Sequence, residues 1–147
     1  MSAPGKAGAH MPRRARWLSA STVRWVALLG LCAAYLQGGL QKAVDFPGAV
    51  AETAHFGLSP AMPVTLATIV LELGASLMIL TGRLRWLGAL ALAVFTLAAT
   101  FIANRYWEAP QAERFMLANA FFEHLGLVGG FLLVAWVDVN ERAERAP

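Results

Sequence analysis

The stretch FFEHLGLVGGFLLVAW, Phe121 to Trp136, decides how this chain is read. It is apolar enough to lie in a bilayer, yet it carries Glu123 and His124 side by side near its start. Extended to Phe115–Val137, the segment holds no other ionisable side chain. A bilayer core takes about 20 mostly apolar residues per helix, within a range of roughly 17 to 25. Trp25–Gln41 and Trp86–Asn104 carry no charge, and Phe56–Gly82 carries only Glu72. All three meet or approach the same length. The whole chain is 58% hydrophobic and 14% charged, against about a quarter charged in an average globular domain. The sequence therefore predicts an all-α, integral membrane four-helix bundle.

Charge sets the expected topology. Arg13, Arg14, Arg16 and Arg24 precede the first span, and Arg83 and Arg85 lie between the second and third. The opposite loops hold Lys42, Asp45 and Glu52, then Arg105, Glu108, Glu113 and Arg114. Short loops rich in Lys and Arg stay cytoplasmic, so both termini are expected inside, in agreement with an even number of spans. The net charge of +3 is accounted for by this topology, and nucleic acid is not an expected partner. The basic start and apolar run are not read as a secretory signal, because the run is too long and lacks a clean cleavage site. Cys32 is the sole cysteine, which excludes a disulfide framework or a thiol relay within one chain.

The expected organisation is a disordered cytoplasmic tail over residues 1–20, a four-helix membrane domain over 21–138, and a charged cytoplasmic tail over 139–147. Pro47 ends the first helix, and FPGAVAETAHFGL after it reads as a short amphipathic helix on the outer interface. The hairpin TGRLRW is so short that the second and third spans must be antiparallel neighbours. The third span, Trp86–Asn104, reads as packing only. Tyr106 and Trp107 read as interfacial anchors. Gly126 and Gly130, four apart, are where a neighbouring helix would approach closely.

Position converts to depth at about 1.5 Å per residue. Glu72 then sits roughly 15 Å below the outer surface, and Glu123 and His124 roughly 12 Å below it. Gln37, Gln41 and Lys42 fall at the outer end of the first span, Asn104 and Arg105 at the outer end of the third, and Asn119 is shallow in the fourth. The polar residues within the spans thus gather in the outer half, while the inner half is nearly all Leu, Ala, Val and Gly. A membrane carboxylate costs at least about 2.5 to 3.5 kcal/mol on insertion scales, so two call for partners or a role. Lys42, Arg105, His124 and a proton shared between the acids are all candidates. Glu72, Glu123 and His124 are the candidate acid–base residues. Gln37, Gln41, Lys42, Asn104, Arg105 and Asn119 are candidate binding residues around an outward-facing pocket. No grouping of His, Cys, Asp and Glu suggests a metal site.

These residues carry a resemblance. GGLQKAVDFPG, FGLSPAM and LELGASLMILTGRLRWLGALALAVF, with NAFFEHLGLVGGFLLVAW in outline, resemble the DoxX family of small four-helix bacterial membrane proteins over roughly residues 24–137. Lys42 after paired glycines and Glu72 two residues before Gly74 are the most telling matches. The Glu123–His124 pair is a local variant. The resemblance implies a multi-pass protein of the bacterial cytoplasmic membrane tied to redox chemistry, since the family is named for a subunit of a thiosulfate:quinone oxidoreductase.

Two functions follow. One is a quinone-linked oxidoreductase subunit whose pocket holds the quinone ring. A haem needs intramembrane axial ligands, commonly histidines, and only His124 is in a span, His10 and His55 being outside; nor is there a cysteine cluster for an iron–sulfur centre. Any electron acceptor must then come from a redox partner protein or be soluble quinone itself. The other is a non-enzymatic membrane module for assembly or partner binding, or less fittingly a small-solute transporter. A homo-oligomer is compatible with either.

Overall fold

The computed structural model describes residues 21–145 of the 147-residue chain. The tail expected over residues 1–20 lies outside them. Five helices follow one another: α1 (Ser21–Val44), α2 (Phe46–His55), α3 (Ala61–Thr81), α4 (Arg85–Ala103) and α5 (Gln111–Arg145). There is no strand among the described residues. All but α2 are long and apolar enough to cross a membrane. Their outer faces agree with that: Val70 on α3, Val94 on α4 and Leu133 on α5 are each at least 60% exposed, as lipid-facing side chains would be.

The short links are built by identifiable residues. Asp45 separates α1 from α2, and its carboxylate accepts the Gly48 N–H at 3.1 Å, capping α2. Pro47 occupies the first turn of that helix, where its missing N–H costs nothing. α3 ends on Gly82 in the left-handed conformation, at φ 78°, as a residue without Cβ permits. Three residues later α4 begins, so α3 and α4 are antiparallel neighbours, as the short hairpin required.

The core lies at the hairpin end. Cys32, Ile79, Ala89, Leu92 and Phe131 are fully buried there, with Leu28, Ala75, Ala93 and Ala135 around them. Close approach of α3 and α4 depends on Gly88, where a Cβ would stand 2.7 Å from the Ala75 carbonyl oxygen. On α1, Gly39 has the same role against Leu73. The sequence expectation for Gly126 and Gly130 holds only for the second: Gly130 receives Leu31, whereas nothing approaches Gly126 within 4 Å.

Polar contacts lock this end. Asp138, buried on α5, accepts the Trp86 N–H at 3.2 Å and so caps α4. It also pairs with Arg142 at 2.8 Å and Arg85 at 3.8 Å. Arg24 donates to both oxygens of Glu141, tying α1 to α5. The segment after Val137, expected to be a separate charged tail, continues α5 to Arg145 because these pairs give its charges partners on neighbouring helices.

A polar chamber at the α2 end

Buried polar residues gather at the other end of the bundle. Thr65, Glu72, Thr96, Thr100 and Asn104 are each at most 8% exposed. Glu72 and Thr96 line a cavity of about 550 Å³ between α1, α3 and α4, with α2 over its mouth and His124 and Leu127 of α5 on its wall. Most of its lining is apolar: Ala34, Phe56, Val64, Phe95 and Ile102 contribute.

Glu72 projects from α3 into this chamber, and Lys42, on the last turn of α1, reaches it. The Lys42 ammonium lies 3.1 Å from each carboxylate oxygen. Room for it comes from Gly38, where a Cβ would stand 3.3 Å from Nζ. Glu72 is 7% exposed and Lys42 27% exposed at the side chain. The pair therefore sits where water screens it little, and each charge compensates the burial of the other. An ammonium has three N–H donors and bonds only Glu72 among the described residues, so it has capacity for a further acceptor.

Opposite stand two hydrogen-bonded threonines of α4. Thr96 donates to the Leu92 carbonyl at 2.6 Å, so its oxygen accepts the Tyr35 hydroxyl at 2.5 Å. Thr100 donates to the Thr96 carbonyl and lies 2.9 Å from His124 Nδ1. The Asn104 amide nitrogen is 3.0 Å from the same Nδ1. Thr100 and Asn104 both hold Nδ1 and fix the plane of the imidazole, while Nε2 makes no hydrogen bond among the described residues. The chamber wall thus presents the Lys42 ammonium and the His124 imidazole beside an apolar interior.

The residues singled out from sequence divide. Glu72, Lys42, His124 and Asn104 come together around the chamber. Gln37 donates to Gln41 at 2.7 Å, and both line a separate hollow of about 410 Å³ with Asp45 and Glu52. Arg105 is exposed and pairs with Glu108 in the α4–α5 loop. Asn119 and Glu123 are exposed, and neither has a hydrogen bond or ion pair among the described residues. Glu123 does not converge with Glu72, because adjacent helical residues point about 100° apart, so that only His124 of the pair faces inward. α4, expected only to pack, supplies Thr96 and Thr100. Tyr106 and Trp107 do more than anchor: with Phe101 and Phe121 they form an aromatic cluster over the α4–α5 turn, with ring centroids 5.2 to 6.4 Å apart.

The profile of the DoxX family matches residues 24–105, from α1 through α4. This chain belongs to the DoxX family. No curated protein and no solved structure matches it. The match includes Tyr35, Lys42, Glu72, Thr96, Thr100 and Asn104, so nearly the whole polar wall lies within the DoxX region. It ends at Arg105, and His124 and Glu123 are outside it. The chain is a multi-pass membrane protein of the DoxX family.

Proposed function

We propose that this DoxX protein is a quinone-binding subunit of an oxidoreductase in the bacterial cytoplasmic membrane, with the chamber facing outward. One observation carries the reading. A largely apolar cavity, within the roughly 300 to 1,000 Å³ usual for small-molecule sites, presents two polar side chains from different walls, the Lys42 ammonium and the His124 imidazole. A quinone is a flat apolar ring with two carbonyl acceptors, and these residues suit it. Arg83 and Arg85 in the α3–α4 hairpin, with Arg142 beside it, favour a cytoplasmic hairpin end.

Quinone supplies two-electron, two-proton chemistry; its electrons come from a reduced partner protein. The chain's own residues bind, orient and handle protons. Thr100 and Asn104 hold the His124 ring by its Nδ1 at the chamber wall. Lys42 holds Glu72 in place and keeps one N–H for a ligand oxygen. Glu72 is the proton-exchanging group, and Glu52, exposed at the mouth of the same chamber, connects it to bulk water. Gln37 and Gln41 act at the neighbouring hollow, and Arg105, Asn119 and Glu123 have no part in ring binding.

The test is purification in a mild detergent followed by extraction and measurement of bound quinone. Wild type is expected to carry quinone, and Glu72→Gln and His124→Ala to lose most of it while remaining folded. Absence of quinone from wild type, together with variants that lose a partner protein instead, would replace this reading with an assembly role.

A further inference from the structure

The chamber has a side opening, and its position follows from how α1 and α5 pack. The two helices touch little, and do so toward the hairpin end. Arg24 pairs with Glu141, Leu31 rests on Gly130, and Tyr35 meets Phe131 edge to face at 5.3 Å between ring centroids. Elsewhere α1 packs on α3 and α5 on α4. Beyond those contacts, Ala34 and Gly38 of α1 and Leu127 and His124 of α5 line the chamber instead of closing on each other. Ala34 is exposed although it lines the cavity. The chamber therefore reaches the bundle surface between α1 and α5, within the apolar length of both helices.

Residues three or four apart share one side of a helix. Glu123, Leu127 and Gly130 form one stripe of α5, and Gly130 shows that this stripe faces α1. Leu31, Ala34, Gly38 and Gln41 form the matching stripe of α1. The gap is thus apolar and lined by small residues at its floor and polar, between Gln41 and Glu123, toward the α2 end. This accounts for Glu123: it borders a space that no helix of this chain fills. At the axial end α2 lies across the mouth and is tied to α3 by the Thr53–Thr65 hydroxyl contact at 2.7 Å.

We propose that the α1–α5 gap is a lateral portal for an amphiphile dissolved in the bilayer, whose ring headgroup enters the chamber while its isoprenoid tail stays between α1 and α5 and extends into lipid. The proposal rests on the quinone reading and adds the ligand class, long-tailed and not tail-free, and its route. A polar-topped, apolar-floored slot continuous with a chamber that presents Lys42 and His124 suits a polar ring with an apolar tail.

The test uses full-length protein in phosphatidylcholine nanodiscs and two probes: a long-chain isoprenoid benzoquinone and the same ring without its tail. Ala34→Trp narrows the portal, and Ala34→Leu does so more mildly if the larger side chain prevents assembly. The expected result is a loss of affinity about tenfold greater for the tailed probe than for the ring. On wild type, a photoreactive group in the tail is expected to label α1 and α5 between Leu31 and Gly38 and between Glu123 and Gly130. Equal losses for both probes, no loss for either, or labelling confined to α3 and α4 would overturn the portal and leave the quinone site standing. Failure of wild type to bind either probe would remove both.

Discussion

Lys42 and Glu72, 30 residues apart in sequence, meet across α1 and α3 with the ammonium 3.1 Å from both carboxylate oxygens. Neither charge has another ion-pair partner among the described residues. Removing one strands the other, which for a buried pair costs about 3–5 kcal/mol. Lys42→Met and Glu72→Leu singly are therefore expected to lower the unfolding temperature in detergent sharply. The double variant should recover much of the loss, giving a large favourable coupling in a double-mutant cycle. Additive losses would show that the pair does not act as one unit.

The glycines should separate by what surrounds them. Gly88→Ala pushes a methyl group against the Ala75 carbonyl oxygen, 2.7 Å from the new Cβ, and should destabilise by about 1–3 kcal/mol. Gly126→Ala meets nothing within 4 Å, and by reducing backbone freedom should be neutral or stabilise by roughly 0.5–1 kcal/mol. Equilibrium unfolding of both in the same detergent makes the comparison.

His124 offers a spectroscopic check. Nitrogen-15 labelling of histidine separates protonated from unprotonated ring nitrogens, and the wild-type ring is expected to hold a single tautomer, fixed by the contacts of Thr100 and Asn104 at Nδ1. Asn104→Leu removes one of those two partners, 3.0 Å from Nδ1. The ring should then mix tautomers and quinone affinity should fall by about tenfold, the loss of roughly one hydrogen bond to an oriented group. A purely structural Asn104 would change the melting temperature and leave the nitrogen shifts alone.

At the far end, Asp138→Asn should keep the fold but loosen the hairpin. It loses the charge that holds Arg142 and Arg85, and a cost of about 1–3 kcal/mol is expected for a hydrogen-bonded buried carboxylate. Arg142→Ala, roughly half exposed, should cost less than about 1 kcal/mol. Thermal unfolding ranks the two.

Much of this was legible before any coordinates. The spans are announced by apolar length, the hairpin by the brevity of TGRLRW, and α2 by the amphipathic pattern of FPGAVAETAHFGL. Lys42 and Glu72 stood out because charge inside an apolar run is costly and needs a reason. The threonines of α4 did not, since a hydroxyl in a helix can satisfy itself on the carbonyl four residues back and so reads as filler. Their signal was register: Thr96, Thr100 and Asn104 recur every four residues on one side. Glu123 misled for the opposite reason, because adjacency to His124 in sequence suggested a shared pocket that helical rotation forbids. That the helices separate at one end depends on side-chain volumes across α1 and α5, which no single segment encodes.

α5 runs without a break for 35 residues, roughly 52 Å at about 1.5 Å each. The same rod carries Glu141, gripped by Arg24, and His124 on the cavity wall, so its packing joins the two ends of the bundle. Lesions remote from the cavity can therefore weaken ligand capture by tilting this rod, and a survey of loss-of-function substitutions should find them clustered at Arg24 and Glu141 as well as around Glu72.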